Sequence, residues 1–282
     1  QNNWLCLANK PSLNRLLEDK IKFTAICSKY NLPLIDYLIL PFNQENFLIA
    51  QAKFGNQIVT QTHFGWAGNS THQFSDYQTA STIIKPNTPT KFMPYLHGFT
   101  VLNNCCLTRL GLIQSPVALQ YTGLKPLTQN PFTTVGRQWP ANIDPSLSLQ
   151  IQDNTAVFSS CLTALDYLGF FGLDFLITPD KIYLLECNPR LTASFSFYTQ
   201  IEINNNLNPL FLFHLAEFLK LTYDFDITTE QKRFFNENLV GSELALKNAS
   251  GQTTKRIQKF NAFSSTANPV EIPPVYFDQL LS

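Results

Sequence analysis

Residues 172–194, GLDFLITPDKIYLLECNPRLTAS, constrain this chain more than any other stretch. Two apolar runs, 170–177 and 182–185, flank a turn signal at Pro179-Asp180. Phe, Ile, Leu and Tyr fill both runs, so they read as paired strands of a hairpin. Three side chains with hard oxygen atoms, Asp174, Glu186 and Asn188, interrupt this apolar setting. Side chains alternate along a strand, which puts Glu186 and Asn188 on one face. Asp174 joins them only in a register that pairs it with Glu186. That register needs a loop with an odd number of residues, most simply Pro179-Asp180-Lys181. A two-residue loop pairs Asp174 with Leu185 and turns it to the other side. On the shared face two carboxylates and an amide converge, a set that suits Mg2+ with phosphate oxygens completing its coordination. Ordinary hairpins use the same residue types for strand-end hydrogen bonds, and the hairpin alone does not separate the two readings.

Composition narrows the function classes. Only 14% of the 282 residues are charged, below the usual quarter, and the charges balance to zero. No basic excess points to nucleic acid and no polybasic run points to a membrane. The 24 phenylalanines exclude a disordered chain. The six cysteines (Cys6, Cys27, Cys105, Cys106, Cys161, Cys187) contain no Cys-x-x-Cys pair and sit mostly in apolar runs. They read as reduced core thiols of a cytoplasmic protein. Neither a signal peptide nor an apolar run of membrane length is present. The first residue is Gln1 rather than Met, so a missing N-terminal piece is expected.

Upstream and downstream segments arrange themselves around the hairpin. Residues 12–30 read as one helix capped by Ser12 and ended by Asn31-Leu32-Pro33. Residues 58–73 read as a strand feeding a loop with Gly65 and Gly68, followed by the hydroxyls of Ser70 and Thr71. Successive backbone N–H groups in such a loop make an anion-binding concavity. Residues 91–108 read as strand, turn at His97-Gly98, and strand, with His97 a turn residue. Residues 116–145 are Pro-rich and polar, and read as a long functional loop after one short strand. Within that loop Arg137 is a candidate clamp for a carboxylate or phosphate. Residues 149–168 read as a helix behind the hairpin, and 209–221 as an apolar core helix in which His214 is structural. The tail offers a hairpin turning at 248–251 and a small basic cluster, Lys255, Arg256 and Lys259.

Strand, Asp, turn, strand, then Glu-x-Asn-Pro-Arg resembles the magnesium hairpin of the ATP-grasp ligases, and LLECNPR is the close match. The resemblance runs over about residues 12–222 in the family's order: Asp-Lys helix, glycine loop, hinge strand, metal hairpin, following helix. It implies an α+β fold of two lobes whose antiparallel sheets grip ATP. Residues 1–102 form the N-terminal lobe with the glycine loop, 103–222 the lobe with the metal hairpin, and 223–282 an extension. The lobe that usually precedes these elements is expected to be absent or truncated. By the same resemblance Asp174, Glu186 and Asn188 hold Mg2+ on ATP, with Mn2+ the alternative ion, and Arg190 serves the phosphate or the reacting group. Lys20, Gln61, Gly65, Gly68, Ser70 and Thr71 face the phosphates, Met93 and Tyr95 form the adenine hinge, and the acceptor lies near Thr192 and Ser194.

The sequence departs from the family at two points. Gln61 stands where the strand before the loop usually carries a second lysine, and Met93-Pro94 replaces a hinge that is often acidic. The implied activity is ATP-dependent ligation of an unidentified carboxylate to an amine through an acyl phosphate. The departures keep open a degenerate nucleotide-binding module without turnover, and an unrelated α+β domain is the third reading.

Overall fold

The computed structural model describes residues 5–65, 70–125 and 127–245, all within one compact unit spanning 1–247. The tail hairpin at 248–251 and its basic cluster lie outside the described residues, as does Gly68. Two helices open the chain, α1 (Pro11–Glu18) and α2 (Lys20–Lys29), where the apolar stripe suggested one. Asp19 makes the break: its backbone is extended, and its carboxylate accepts the N–H groups of Ile21 and Lys22, capping α2. The start of α1 is set by Pro11 in its first turn, after Lys10, and not by a Ser12 cap.

A small antiparallel sheet follows. Its elements in chain order are β1 (Leu38–Pro41), α3 (Gln44–Phe54), β2 (Ile58–Gln61), β3 (Thr71–Phe74), α4 (Tyr77–Ser81) and β4 (Pro89–Pro94). The strand order is β1-β4-β2-β3. Asn43 and Asp76 cap the two helices through the N–H groups of Asn46 and Thr79. One face of the sheet is covered by a phenylalanine core: Phe42, Phe47, Phe74 and Phe92, with Ile58. The rings stack and meet edge-on, the arrangements their quadrupoles favour.

The larger antiparallel sheet begins with β5 (Phe99–Thr108), so the boundary expected at residue 102 falls inside a strand. It continues with β6 (Gly111–Gln114), β7 (Ala118–Thr122), β8 (Thr134–Trp139), α5 (Pro145–Ala164), β9 (Gly169–Ile177) and β10 (Ile182–Asn188). Then come α6 (Phe195–Asn204), α7 (Leu210–Phe218), α8 (Ile227–Gln231) and β11 (Gly241–Leu244). The order is β10-β9-β5-β7-β8-β11, with β6 paired to β5. Residues 134–139, read as loop, are therefore strand β8, held between β7 and β11, and Trp139 is fully buried there. On one face α1, α2 and α5 pack over Phe171, Phe175 and Leu184, with Phe23 edge-on to Phe158. On the other, α6 and α7 cover one end, around Trp139, Tyr198 and Phe213. The remaining part of that second face meets the small sheet at Val59, Met93, Leu176, Tyr183 and Leu185, and is termed the cleft side.

Candidate functional site

The hairpin β9–β10 does pair Asp174 with Glu186, but by a route the loop-length argument missed. Ile177 pairs with Ile182, so the loop has four residues, 178–181. An even loop pairs Asp174 with Leu185, on the wrong face. A β-bulge between Leu184 and Glu186 absorbs one residue and restores the pairing. The side chains record the slip. Ile182, Leu184 and Cys187 point into the helical core, while Tyr183, Leu185, Glu186 and Asn188 lie on the cleft side. Two consecutive residues thus share a face, and the three oxygen-bearing side chains meet there.

Their contacts are direct. Asn188 Nδ2 donates to Asp174 Oδ2 at 3.2 Å, and Gln120 Nε2 donates to Asp174 Oδ1 at 2.8 Å. Lys20 Nζ donates to Glu186 Oε2. Burial and the neighbouring Glu186 carboxylate push the Asp174 carboxyl up to about 7, against Arg137 and the Gln120 hydrogen bond. Burial also opposes ionisation of Glu186, but the Lys20 ammonium outweighs it and holds that carboxyl below its ordinary range. Glu186 nevertheless keeps 34% of its side chain exposed. Two crowded carboxylates, whose repulsion a divalent cation would relieve, are donors of the kind magnesium takes; the Asn188 amide turns its nitrogen to Asp174 and its oxygen to Arg190, and would offer that oxygen to a metal only after rotating. Among the described residues no group of three or more His, Cys, Asp or Glu that could hold a metal ion is found.

The opposite wall comes from α2 and the small sheet. Lys20, the first residue of α2, is buried, and its N–H donates to the carbonyl of His63 at 2.9 Å. His63 Nδ1 lies 2.8 Å from Asp19 Oδ1, so the helix cap and the stem of the glycine loop are tied together. Gln61, at the end of β2, donates to Thr71 Oγ1 at 3.1 Å across β2–β3. Gly65 packs so tightly on Ser70 that any Cβ would collide with it, which explains the glycine. Met93 is buried and Tyr95 half-buried on the cleft face of the hinge; His97 stands edge-on to Tyr95, at 5.0 Å between ring centres.

Arg190 follows the hairpin. Its Nε donates to Glu18 at 2.9 Å and its Nη2 to Asn188 Oδ1 at 3.1 Å, with 42% of the side chain exposed. Thr192 and Ser194, expected near the acceptor, are buried on Asn104: Thr192 Oγ1 donates to Asn104 Oδ1 at 3.0 Å, and Asn104 Nδ2 donates to Ser194 Oγ at 3.2 Å. They anchor the segment after Arg190 instead of lining open space. Arg137 pairs with Glu243 at 2.8 Å. His214 is structural as expected, accepting the Phe170 N–H at 3.0 Å. Five of the cysteines are buried, and Cys6 is exposed.

Sequence reasoning missed Gln120, His63 and Lys91. Gln120 holds Asp174 while accepting from Thr134 Oγ1 at 3.0 Å. Its signal was a lone amide in the apolar run VALQYT. Lys91 lies on β4 directly opposite Gln61 and is only 4% exposed.

Comparisons with known proteins bear on this geometry. Residues 124–194 match the family model described as the ATP-grasp domain. No curated protein matches the sequence. Among solved structures, carboxyaminoimidazole ribonucleotide synthase from Aspergillus clavatus, complexed with ATP, superposes with a TM-score of 0.61 at 16% identity, covering 74% of this chain and 53% of that one. N5-carboxyaminoimidazole ribonucleotide synthetase from Thermotoga maritima gives 0.59 at 17% identity, with 76% and 52% covered. The biotin carboxylase domain of the Hydrogenobacter thermophilus 2-oxoglutarate carboxylase, in complex with MgADP, ADP and bicarbonate, gives 0.62 at 8% identity, with 78% and 49% covered. The chain spans about half the length of these structures. The hairpin register, the two antiparallel sheets and these superpositions agree: the chain has the ATP-grasp fold, and residues 124–194 match that domain family in sequence.

Proposed function

We propose that this protein is an ATP-dependent ligase that activates a carboxylate as an acyl phosphate for attack by an amine. The observation that carries the reading is the convergence of Asp174, Glu186 and Asn188 on one face of the bulged hairpin, with Lys20 against them. Asp174, Glu186 and Asn188 would hold Mg2+, which when bound neutralises charge on the phosphates. Lys20, fixed by the Asp19 cap, presents its ammonium on the same side. Ser70 and Thr71 flank the glycine loop on the opposite wall. Arg190 lies two residues beyond Asn188, where its guanidinium would steady the phosphoryl group in transfer. The apolar strip around Met93 and Tyr95 suits a flat base.

A second reading, a nucleotide-binding module without turnover, draws on Gln61, which is neutral and tied to Thr71. One assay separates the two. Wild-type protein is incubated with Mg-ATP, a panel of small carboxylic acids and hydroxylamine, which traps acyl phosphates as hydroxamates. The ligase reading expects ADP and hydroxamate in equal amounts with a matching acid, and a loss of roughly a hundredfold or more in Asp174→Asn. ATP binding without acid-dependent ADP release from any of the panel favours the binding module.

A further inference from the structure

Lys91 is a buried cation outside the Asp174–Glu186–Lys20 cluster. Antiparallel pairing sets Gln61 on β2 opposite Lys91 on β4, and Val59 opposite Met93. Side chains alternate, so all four lie on the cleft face, while Thr60 and Phe92 turn to the phenylalanine core. Lys91 is 4% exposed, and among the described residues no carboxylate pairs with it. Its ammonium lies 5.6 Å from the centre of the Tyr37 ring, a weak partner for a buried charge. Lys20 and Cys27, both on α2, also face it; the first is a like charge and the second a thiol. Burial, with Lys20 adding to it, pulls the Lys91 ammonium down to about 8. Burying a lysine without an anion is unfavourable unless something supplies the anion. Lys20 already has Glu186; Lys91 has nothing equivalent.

We infer that Lys91 is a phosphate-binding residue of this site, supplying from β4 the positive charge that Gln61 on β2 lacks. The inference rests on the nucleotide-binding reading above and adds a residue to it. The cation has moved one strand across the ladder, onto the same face and the same rung. On this account the neutral Gln61 is no sign of degeneracy, because the charge is retained next to it.

The test is a charge swap read by calorimetric titration. Mg-ATP and adenosine are titrated into wild type, Lys91→Gln, Lys91→Met, and the double variant Lys91→Gln/Gln61→Lys. Lys91→Gln and Lys91→Met are expected to bind Mg-ATP roughly ten- to hundredfold more weakly, as for loss of one charge-assisted hydrogen bond. Adenosine binding should stay unchanged, and the swap should recover most of the lost Mg-ATP affinity. Thermal unfolding without nucleotide should show both single variants folded and at least as stable as wild type. Mg-ATP binding by wild type that survives in both single variants would overturn the role of Lys91 and leave the nucleotide site standing. Equal losses for Mg-ATP and adenosine, or a swap that recovers nothing, would make Lys91 structural. No Mg-ATP binding by folded wild type would overturn the underlying reading, and the inference with it.

Discussion

Lys91 and Asp174 are both held away from their ordinary titration ranges for the same reason: each is buried beside a like charge. Burying such a group is costly, and an opposite charge beside it would offset that cost. The unfolded chain keeps the Lys91 proton up to about 10.5, whereas the folded chain releases it near 8. Below pH 8 both states are charged, and the folded state carries the full burial penalty. Between about 8 and 10.5 the unfolded state binds more protons, so this group's contribution makes stability rise with pH. Lys91→Met should therefore be more stable than wild type at pH 7 without nucleotide, by roughly 1–3 kcal/mol, and the difference should shrink toward pH 10. Urea unfolding of both proteins at the two pH values measures it. A variant less stable than wild type at pH 7 contradicts the unpaired burial of Lys91.

At the scale of elements the bulge in β10 decides the site. The four-residue loop alone would separate Asp174 from Glu186; one extra leucine brings them together. Deleting one of the adjacent Leu184-Leu185 pair removes the extra residue and lets a regular strand place Glu186 opposite Asp174. Mg2+-dependent ATP binding should survive that deletion within about tenfold, the cost of a re-aimed strand. Inserting an alanine between Leu185 and Glu186 shifts Glu186 onto the core face and should abolish it. Loss in the deletion, or retention in the insertion, contradicts the register argument.

The same element shows what was legible in advance. Asp174, Glu186 and Asn188 sit in a local hairpin, so residue types and period two were enough to bring them together. The bulge was not legible, because Leu185 looks like any other strand residue. Strand β8 was missed because its pairing depends on β7 and the distant β11, and Gly136 and Arg137 carry no strand signal of their own. Asp19 split a continuous apolar stripe because a carboxylate free to cap two N–H groups ends one helix and starts another. Lys91 stayed hidden for the reason β8 did: its meaning depends on pairing with Gln61, thirty positions earlier.

The whole molecule places these pieces between two sheets. Val59 and Met93 from the small sheet and Leu176, Tyr183 and Leu185 from the large one form an apolar strip. Beside it stand the charged groups, Lys91 and Lys20 on one wall and Asp174 and Glu186 on the other. Among the described residues no helix is long and apolar enough to cross a membrane. This apolar cluster beside paired and unpaired charge is what the proposed nucleotide site rests on. The proposed function requires ATP to bind through a metal held by the hairpin. The most direct measurement is a calorimetric titration of ATP into wild type and Glu186→Ala, each with and without Mg2+. Wild-type binding should require Mg2+ and fall at least about tenfold in the variant, as for loss of a metal-bound carboxylate. Folded wild type that binds no ATP, or binds it equally without Mg2+ and without Glu186, would contradict the proposed function.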